Sequence, residues 1–130
     1  MDKILPIPSP VSQPYFDGCK QGELLLQHCS ACDRSQFYPR VMCSHCGGDS
    51  LTWRRAGGEG VVASFTVVRR PVSKAYDAPY VIALIDLPEG VRMMAQLAGV
   101  DVDTVSVGLS VKAQFEAWSD EVTLPVFYPA

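Results

Sequence analysis

Four of the five cysteines in this chain form two Cys-x-x-Cys pairs separated by ten residues, Cys29 with Cys32 and Cys43 with Cys46. A tetrahedral zinc ion is bound by four such thiolates, and the two-residue spacing lets each pair fold as a knuckle around one metal. The pattern predicts a structural Zn²⁺ at these four residues, with iron in a rubredoxin-like site as the less favoured alternative. Because four thiolates close the coordination shell, we expect the site to stabilise the fold without doing chemistry itself.

The other side chains that could do chemistry lack a partner motif. His28 and His45 each adjoin one of the paired cysteines, where an imidazole is expected to donate a hydrogen bond near the metal or to face solvent. Cys19 is expected to be a small core residue. A dithiol redox centre is disfavoured because no βαβ pattern surrounds either pair. A free-standing enzyme is the weakest hypothesis, since no activated nucleophile or acid–base pair is visible in the sequence.

Composition limits the classes of function. The chain has 130 residues, a formal net charge of -3, 48% hydrophobic residues and 19% charged residues, which is typical of one globular domain or two very small ones. The acidic balance makes nucleic acid an improbable main partner. No apolar run is long enough to cross a membrane, and the N-terminus does not resemble a signal peptide. The protein is therefore expected to be cytoplasmic, and five cysteines in a cytoplasmic chain indicate metal or thiol chemistry and not disulfides.

The elements that must position the cysteines lie on both sides of them. Three prolines predict an extended leader over residues 1–12. A helix should follow, with Ser12 as its N-cap and Pro14 in its first turn. Strands are predicted over residues 23–29 and 51–55. A glycine-rich hinge then closes the helix-plus-ribbon module, which we place at residues 13–58.

Residues 59–130 alternate apolar and polar side chains with a period of two, which predicts five strands with turns between them. In the first strand Val61, Ala63, Phe65 and Val67 are expected to share one face. Five short strands in this length favour an OB-fold barrel, in which the connection from strand three to strand four often carries a helix; here residues 101–108 suggest a single helical turn. An SH3-like barrel has similar strand statistics. The residues therefore predict a mainly β fold class with an N-terminal helix, a zinc ribbon and a five-stranded barrel, for which the OB-fold is favoured and the SH3-like barrel stays open.

Basic side chains concentrate between positions 54 and 74, where Glu59 is the only acid before Lys74. The simplest interpretation is a set of solvated loop ends. The alternative is a site for a phosphorylated ligand or an acidic partner surface, because arginine forks bind phosphate and carboxylate. The candidate residues are Arg54, Arg55, Arg69, Arg70 and Lys74, with Arg40 as a contributor from the ribbon.

Apolar side chains near the N-terminus offer a second candidate surface. They are expected to be exposed and to serve in docking a partner. The set is Ile4, Leu5, Ile7, Tyr15 and Phe16.

The order of these segments closely resembles the DUF35 family, a rubredoxin-like zinc ribbon followed by an OB-fold. The resemblance covers nearly the whole chain, and its most specific parts are "LLLQHCSAC", "YPRVMCSHCG" and "GVVASFTVV". It implies a non-catalytic accessory subunit of a thiolase-superfamily acyltransferase or aldolase, or of a MaoC-like hydratase, in acyl-CoA, lipid or steroid metabolism. It further implies that the catalytic residues lie on the partner and that the OB-fold helps form or cover a CoA or acyl channel. The alternative is a zinc-ribbon and OB-fold module that binds single-stranded nucleic acid.

Overall fold

A computed structural model describes residues 3–130 of the chain. Residues 1 and 2, where the predicted leader begins, lie outside the described residues. Within residues 3–130, one short helix is followed by eight strands. Their bounds are α1 Gln13–Lys20, β1 Leu25–Cys29, β2 Arg34–Gln36, β3 Leu51–Arg55, β4 Glu59–Val68, β5 Tyr80–Asp86, β6 Arg92–Leu97, β7 Ser110–Ala117 and β8 Thr123–Pro129.

Helix α1 begins as predicted, with Ser12 at the N-cap and proline in the first turn. It contacts β1 on one side and β7 and β8 on the other. This position buries Tyr15 and Phe16, which are 4% and 5% exposed. The prediction that these two residues form an exposed docking surface is therefore wrong, because the apolar side of α1 packs between the ribbon and the barrel. Ile4, Leu5 and Ile7 are exposed as predicted.

The ribbon is a three-stranded antiparallel sheet in the order β2-β1-β3. The central strand β1 ends at Cys29, which pairs with Arg34 of β2 and with Leu51 of β3. Strand β2 was not expected, because its three residues are too few to show alternation. The sheet places the first cysteine knuckle between β1 and β2.

The second sheet closes into a barrel of five strands in the order β4-β5-β6-β8-β7, with β7 also pairing with β4. The pairs are antiparallel except β6 with β8. This topology is that of the OB-fold, and the predicted fold class is confirmed. The segment between β6 and β7 contains a helical turn, in which the N–H of Val105 donates to the carbonyl of Asp101 over 3.0 Å.

Strand β4 differs from the predicted pattern in its first half. Val61 is 44% exposed whereas Val62 is 1% exposed. The register with β5 shifts between Val62 and Ser64, and such a bulge adds one residue and reverses the facing of the residues before it. The prediction that Val61 shares a face with Phe65 is therefore wrong. Beyond the bulge the predicted alternation holds as far as Val67.

One apolar core joins the ribbon to the barrel. Leu26 of β1 belongs to the same buried cluster as Ile85 of β5 and Phe127 of β8. Cys19 is fully buried in this cluster, as expected for a core thiol. Within residues 3–130, the structure contains no helix of the length and hydrophobicity that a bilayer crossing requires.

Candidate metal centre and ligand cavity

The four paired cysteines converge on one point. All four sulfur atoms lie within 4.8 Å of one another. The Sγ atoms of Cys29 and Cys46 are 3.7 Å apart, and those of Cys32 and Cys43 are 3.6 Å apart. Four sulfurs about 2.3 Å from a tetrahedral centre would be separated by about 3.8 Å, whereas a disulfide bond measures about 2.05 Å. The arrangement fits one structural zinc ion.

Backbone donors prepare the second knuckle for a metal. The N–H of Cys46, and after it the N–H of His45, lower the pKa of the Cys43 thiol to about 6. The His45 donor lies 3.4 Å from the Cys43 sulfur. Because a bound cysteine must be a thiolate, donors of this kind favour the ligating form of the side chain.

The imidazole of His28 braces the first knuckle without joining the sulfur cluster. His28 is buried, with Nδ1 3.0 Å from the Ser35 hydroxyl and Nε2 2.9 Å from the Asp33 carboxylate. Asp33 directly follows Cys32 and adopts a positive φ of 58°. The hydrogen bonds of His28 therefore connect the turn after the first pair of cysteines to β2.

A pair of buried glutamines holds the chain that leads into the second knuckle. We call Gln27 and Gln36 the amide clamp; they face each other on β1 and β2, and Gln36 Nε2 donates to Gln27 Oε1 over 2.7 Å. The Gln27 amide bonds both the N–H and the carbonyl of Arg40. The Gln36 amide accepts from the N–H of Ser44 and donates to the carbonyl of Met42. Sequence reasoning missed this clamp, because alternating polar positions on a strand are ordinarily read as solvent-facing.

The predicted basic residues do not form one group. Arg54 and Arg55 end β3 and line a cleft between the ribbon and the turn that joins β5 to β6, which also contains Glu89. Arg69 and Arg70 follow the far end of β4, and ten extended residues separate the two pairs by roughly 30 Å along the strand.

Each predicted basic residue is exposed. The closest ion pairs among them are loose, since Arg55 lies 3.9 Å from Glu23 and Arg69 lies 3.9 Å from Asp103. Lys74 lies in the connection from β4 to β5. The backbone of Arg40 is held by the amide clamp. Their role in binding stays a prediction.

A cavity of about 540 Å³, which we call the aromatic cavity, lies against β5, β6 and β8. Its walls include Tyr76 from the β4–β5 connection, Tyr80 at the start of β5 and Trp118 from the β7–β8 connection. These strands and loops form the face with which OB-folds bind ligands. Sequence reasoning missed Trp118, which lies about 40 positions from the two tyrosines along the chain and joins them only through the barrel.

The leader covers part of this cavity. The ammonium of Lys3 lies 4.6 Å from the ring centre of Trp118 and 5.8 Å from that of Tyr76. The N–H of Ile4 donates to the Tyr76 hydroxyl over 3.2 Å. The indole N–H of Trp118 is buried and has no hydrogen-bond partner within residues 3–130.

Comparison with known proteins agrees with this architecture. The ChsH2 rubredoxin-like zinc ribbon domain matches residues 16–52, and the ChsH2 C-terminal OB-fold domain matches residues 53–116. The ribbon with its four clustered cysteines and the closed five-stranded barrel place the chain in the class of proteins that combine a zinc ribbon with an OB-fold. A DUF35 domain-containing scaffold protein from Methanothermobacter thermautotrophicus is 30% identical over 95 residues, which cover 72% of this chain and 71% of that protein. The chain belongs to the DUF35 family.

Two further relatives carry enzyme names. A probable enoyl-CoA hydratase alpha subunit from Thermomonospora curvata is 37% identical over 116 residues, 89% of this chain and 36% of that protein. A solved structure titled Ltp2-ChsH2(DUF35) aldolase contains a chain that superimposes with a TM-score of 0.88 at 34% identity, covering 96% of this chain and 98% of that one. The chain spans about a third of the length of the first curated relatives that it matches.

Proposed function

We propose that this chain is a non-catalytic accessory subunit that binds a thiolase-superfamily acyltransferase or aldolase, or a hydratase, and acts with it on acyl-CoA in lipid or steroid metabolism. One observation carries the proposal: this chain superimposes on the DUF35 chain of an aldolase along nearly the full length of both chains. In this proposal Cys29, Cys32, Cys43 and Cys46 bind one structural zinc ion, which holds the ribbon rigid beside the barrel.

The proposed docking surface surrounds the mouth of the aromatic cavity. We define the apolar rim as Ile4, Val72 and Met94, whose exposed fractions are 76%, 79% and 68%. Val72 and Met94 line the cavity, and Ile4 contacts Tyr76. Large apolar side chains grouped at a cavity mouth are characteristic of interaction surfaces. A partner that covered the rim would enclose the cavity between the two subunits.

Binding of CoA would require a site for its phosphates. Arg69 and Arg70 directly precede the segment that supplies Val72 and Tyr76 to the cavity, so their guanidinium groups are the better-placed pair for an anion near this mouth. Replacing Arg69 and Arg70 together with alanine is expected to weaken retention on immobilised CoA, with the Arg54 and Arg55 double variant as the comparison.

A pulldown from the native host tests the assembly. Tagged wild-type protein should recover a thiolase-like or hydratase subunit in near-stoichiometric amount, with one zinc per chain by metal analysis. Val72→Asp should lose the partner, because a carboxylate cannot be buried without a compensating contact. Val107→Asp, at a position that is 63% exposed and does not line the cavity, should retain it. Recovery of ribonucleoproteins without an acyl-CoA enzyme would contradict the proposal.

One observation favours a second candidate, a module that binds single-stranded nucleic acid. The aromatic rings of Tyr76, Tyr80 and Trp118 occupy the ligand face of an OB-fold, where aromatic side chains stack on bases. The net charge of -3 opposes this function. Fluorescence anisotropy with a labelled oligothymidylate distinguishes the two: binding that weakens steeply with salt would favour the nucleic-acid function.

A further inference from the structure

We propose that the aromatic cavity binds a flat, uncharged ring system that carries a hydrogen-bond acceptor. The inference rests on the proposed function for the source of this ligand, which would be the acyl end of a thioester and not its phosphates. Four observations support this ligand class: the size, the walls and the charge of the cavity, and an unpaired buried donor on Trp118, one of the residues that line it.

The size and walls suit a ring. A volume of about 540 Å³ lies within the range of small-molecule sites. The ring centre of Tyr76 lies 6.3 Å from that of Tyr80 and 6.1 Å from that of Trp118. Rings at these separations present faces and edges on which another flat ring can pack. Ile82 and Met94 supply aliphatic contacts from β5 and β6.

The charges of the cavity disfavour an anion. Among the described residues that line it, Lys3 and Asp77 are the charged ones, and they have opposite signs. The Lys3 ammonium already lies over the Trp118 ring. None of the predicted arginines lines this cavity. A phosphate group would thus find little compensation inside, whereas an uncharged ring would lose little by leaving water.

The unpaired donor selects for an acceptor on the ligand. A buried N–H without a hydrogen-bond partner is costly. Within residues 3–130, two buried polar side-chain atoms have no partner, and one of them is the indole nitrogen of Trp118. A ligand carbonyl that reached this N–H by displacing the covering side chains would restore the missing hydrogen bond. An acyl group supplies such a carbonyl.

The leader forms a wall that a ligand can displace. Its described contacts across the cavity are the Lys3 cation–π contacts and the bond from Ile4 to Tyr76. Ile7, further along the leader, is 94% exposed, so it adds little packing that would resist displacement. Cation–π contacts at exposed positions are weak. Entry of a ligand would therefore need only a small rearrangement of residues 3 and 4.

Nuclear magnetic resonance of the indole N–H groups tests the inference on the isolated full chain. The chain has two tryptophans, Trp53 in the ribbon and Trp118 in the cavity, so two indole signals are expected and a Trp53→Phe variant assigns them. The probe is 2-acetylnaphthalene, a flat ketone. The Trp118 signal should shift progressively, with a dissociation constant on the order of 0.1–1 mM for a ligand of this size. The Trp53 signal should not move.

Comparison probes and matched variants make the test specific. The acyclic ketone 2-octanone should bind several-fold more weakly, and pyrophosphate should leave the Trp118 signal unchanged. Met94→Glu, at an exposed position of the cavity wall, should abolish the shift. Met42→Glu, at an exposed position of the ribbon, should preserve it.

Several outcomes would overturn the inference. They are equal shifts of both indole signals, a larger response to pyrophosphate than to the ketone, and unchanged binding by Met94→Glu. Probe binding without partner recovery in the pulldown would sink the proposed function and leave the cavity assignment standing. Partner recovery without probe binding would do the reverse.

Discussion

The amide clamp should control zinc affinity although neither glutamine touches the sulfur cluster. Gln36 is 4% exposed and bonds Gln27 on the neighbouring strand, the carbonyl of Met42 and the N–H of Ser44. The last two groups flank Cys43. In Gln36→Leu, both would lose their side-chain partner while a leucine of similar size filled the space.

The expected magnitude follows from the groups left without partners. Each buried polar group that loses its hydrogen bond costs about 1–3 kcal/mol. Met42 and Ser44 are exposed residues that water can partly reach, so we take about 2 kcal/mol for the two together. This cost falls on the metal-bound ribbon, in which the second knuckle is ordered. Since about 1.4 kcal/mol corresponds to a factor of ten, zinc affinity should fall about 30-fold, within the range observed when groups around metal ligands are removed.

Competition with a chromogenic chelator such as 4-(2-pyridylazo)resorcinol at pH 7 measures this affinity. Gln114→Leu is the matched control, because Gln114 is exposed on β7 of the barrel. The control should bind zinc like the wild type. If Gln36→Leu bound zinc within threefold of the wild type, or fell no further than Gln114→Leu, the reasoning about the clamp would be refuted.

Three further predictions concern the barrel and the core. Gly60→Ala should lower the free energy of unfolding by about 1–3 kcal/mol, because its Cβ would lie 2.5 Å from a side-chain carbon and 3.0 Å from a carbonyl oxygen of β5. Gly57→Ala, whose Cβ would have its nearest neighbour 4.0 Å away, should change it by less than about 0.5 kcal/mol; equal urea midpoints would contradict the clash. Burial raises the pKa of the Cys19 thiol to about 11, so iodoacetamide should label this residue only after denaturation. If mass spectrometry detected the label on Cys19 in the native protein, the burial of this thiol would be disproved. The Arg92 guanidinium lies 2.7 Å from the Asp86 carboxylate and lowers the pKa of that carboxyl. The ion pair therefore stabilises the fold at pH values above the unfolded-state pKa of Asp86, and this stabilisation is lost as the pH falls through the lower folded-state pKa. Arg92→Ala should return the Asp86 pKa towards the usual aspartate range in an NMR titration, and an unchanged value would count against the pair.

Local features of the sequence determined much of this protein. Two-residue spacing within each cysteine pair confines the sulfurs to knuckles whatever the rest of the chain does, so the metal centre could be predicted from the motif. Pro14 marked the start of α1 for the same reason, since the preference of proline for the first turn depends only on the local backbone; the Ser12 hydroxyl caps no N–H of the helix. The period-two alternation predicted the barrel strands, and in β6 and β7 it agrees with the observed burial, because each strand has one covered face and one solvent-exposed face.

Only the tertiary structure decided features that depend on residues distant in the chain. The bulge after Val62 turns Val61 towards solvent, and the position of this bulge is determined by the pairing of β4 with β5. Tyr15 is buried because two modules close around α1, which its own amphipathic pattern does not reveal. The arginines that are neighbours in sequence lie at opposite ends of β4, because an extended strand carries its ends apart. Trp118 meets Tyr76 and the leader only once the barrel has closed. Spacing along the chain therefore predicted the metal centre, whereas closure of the barrel decided where a ligand cavity would form.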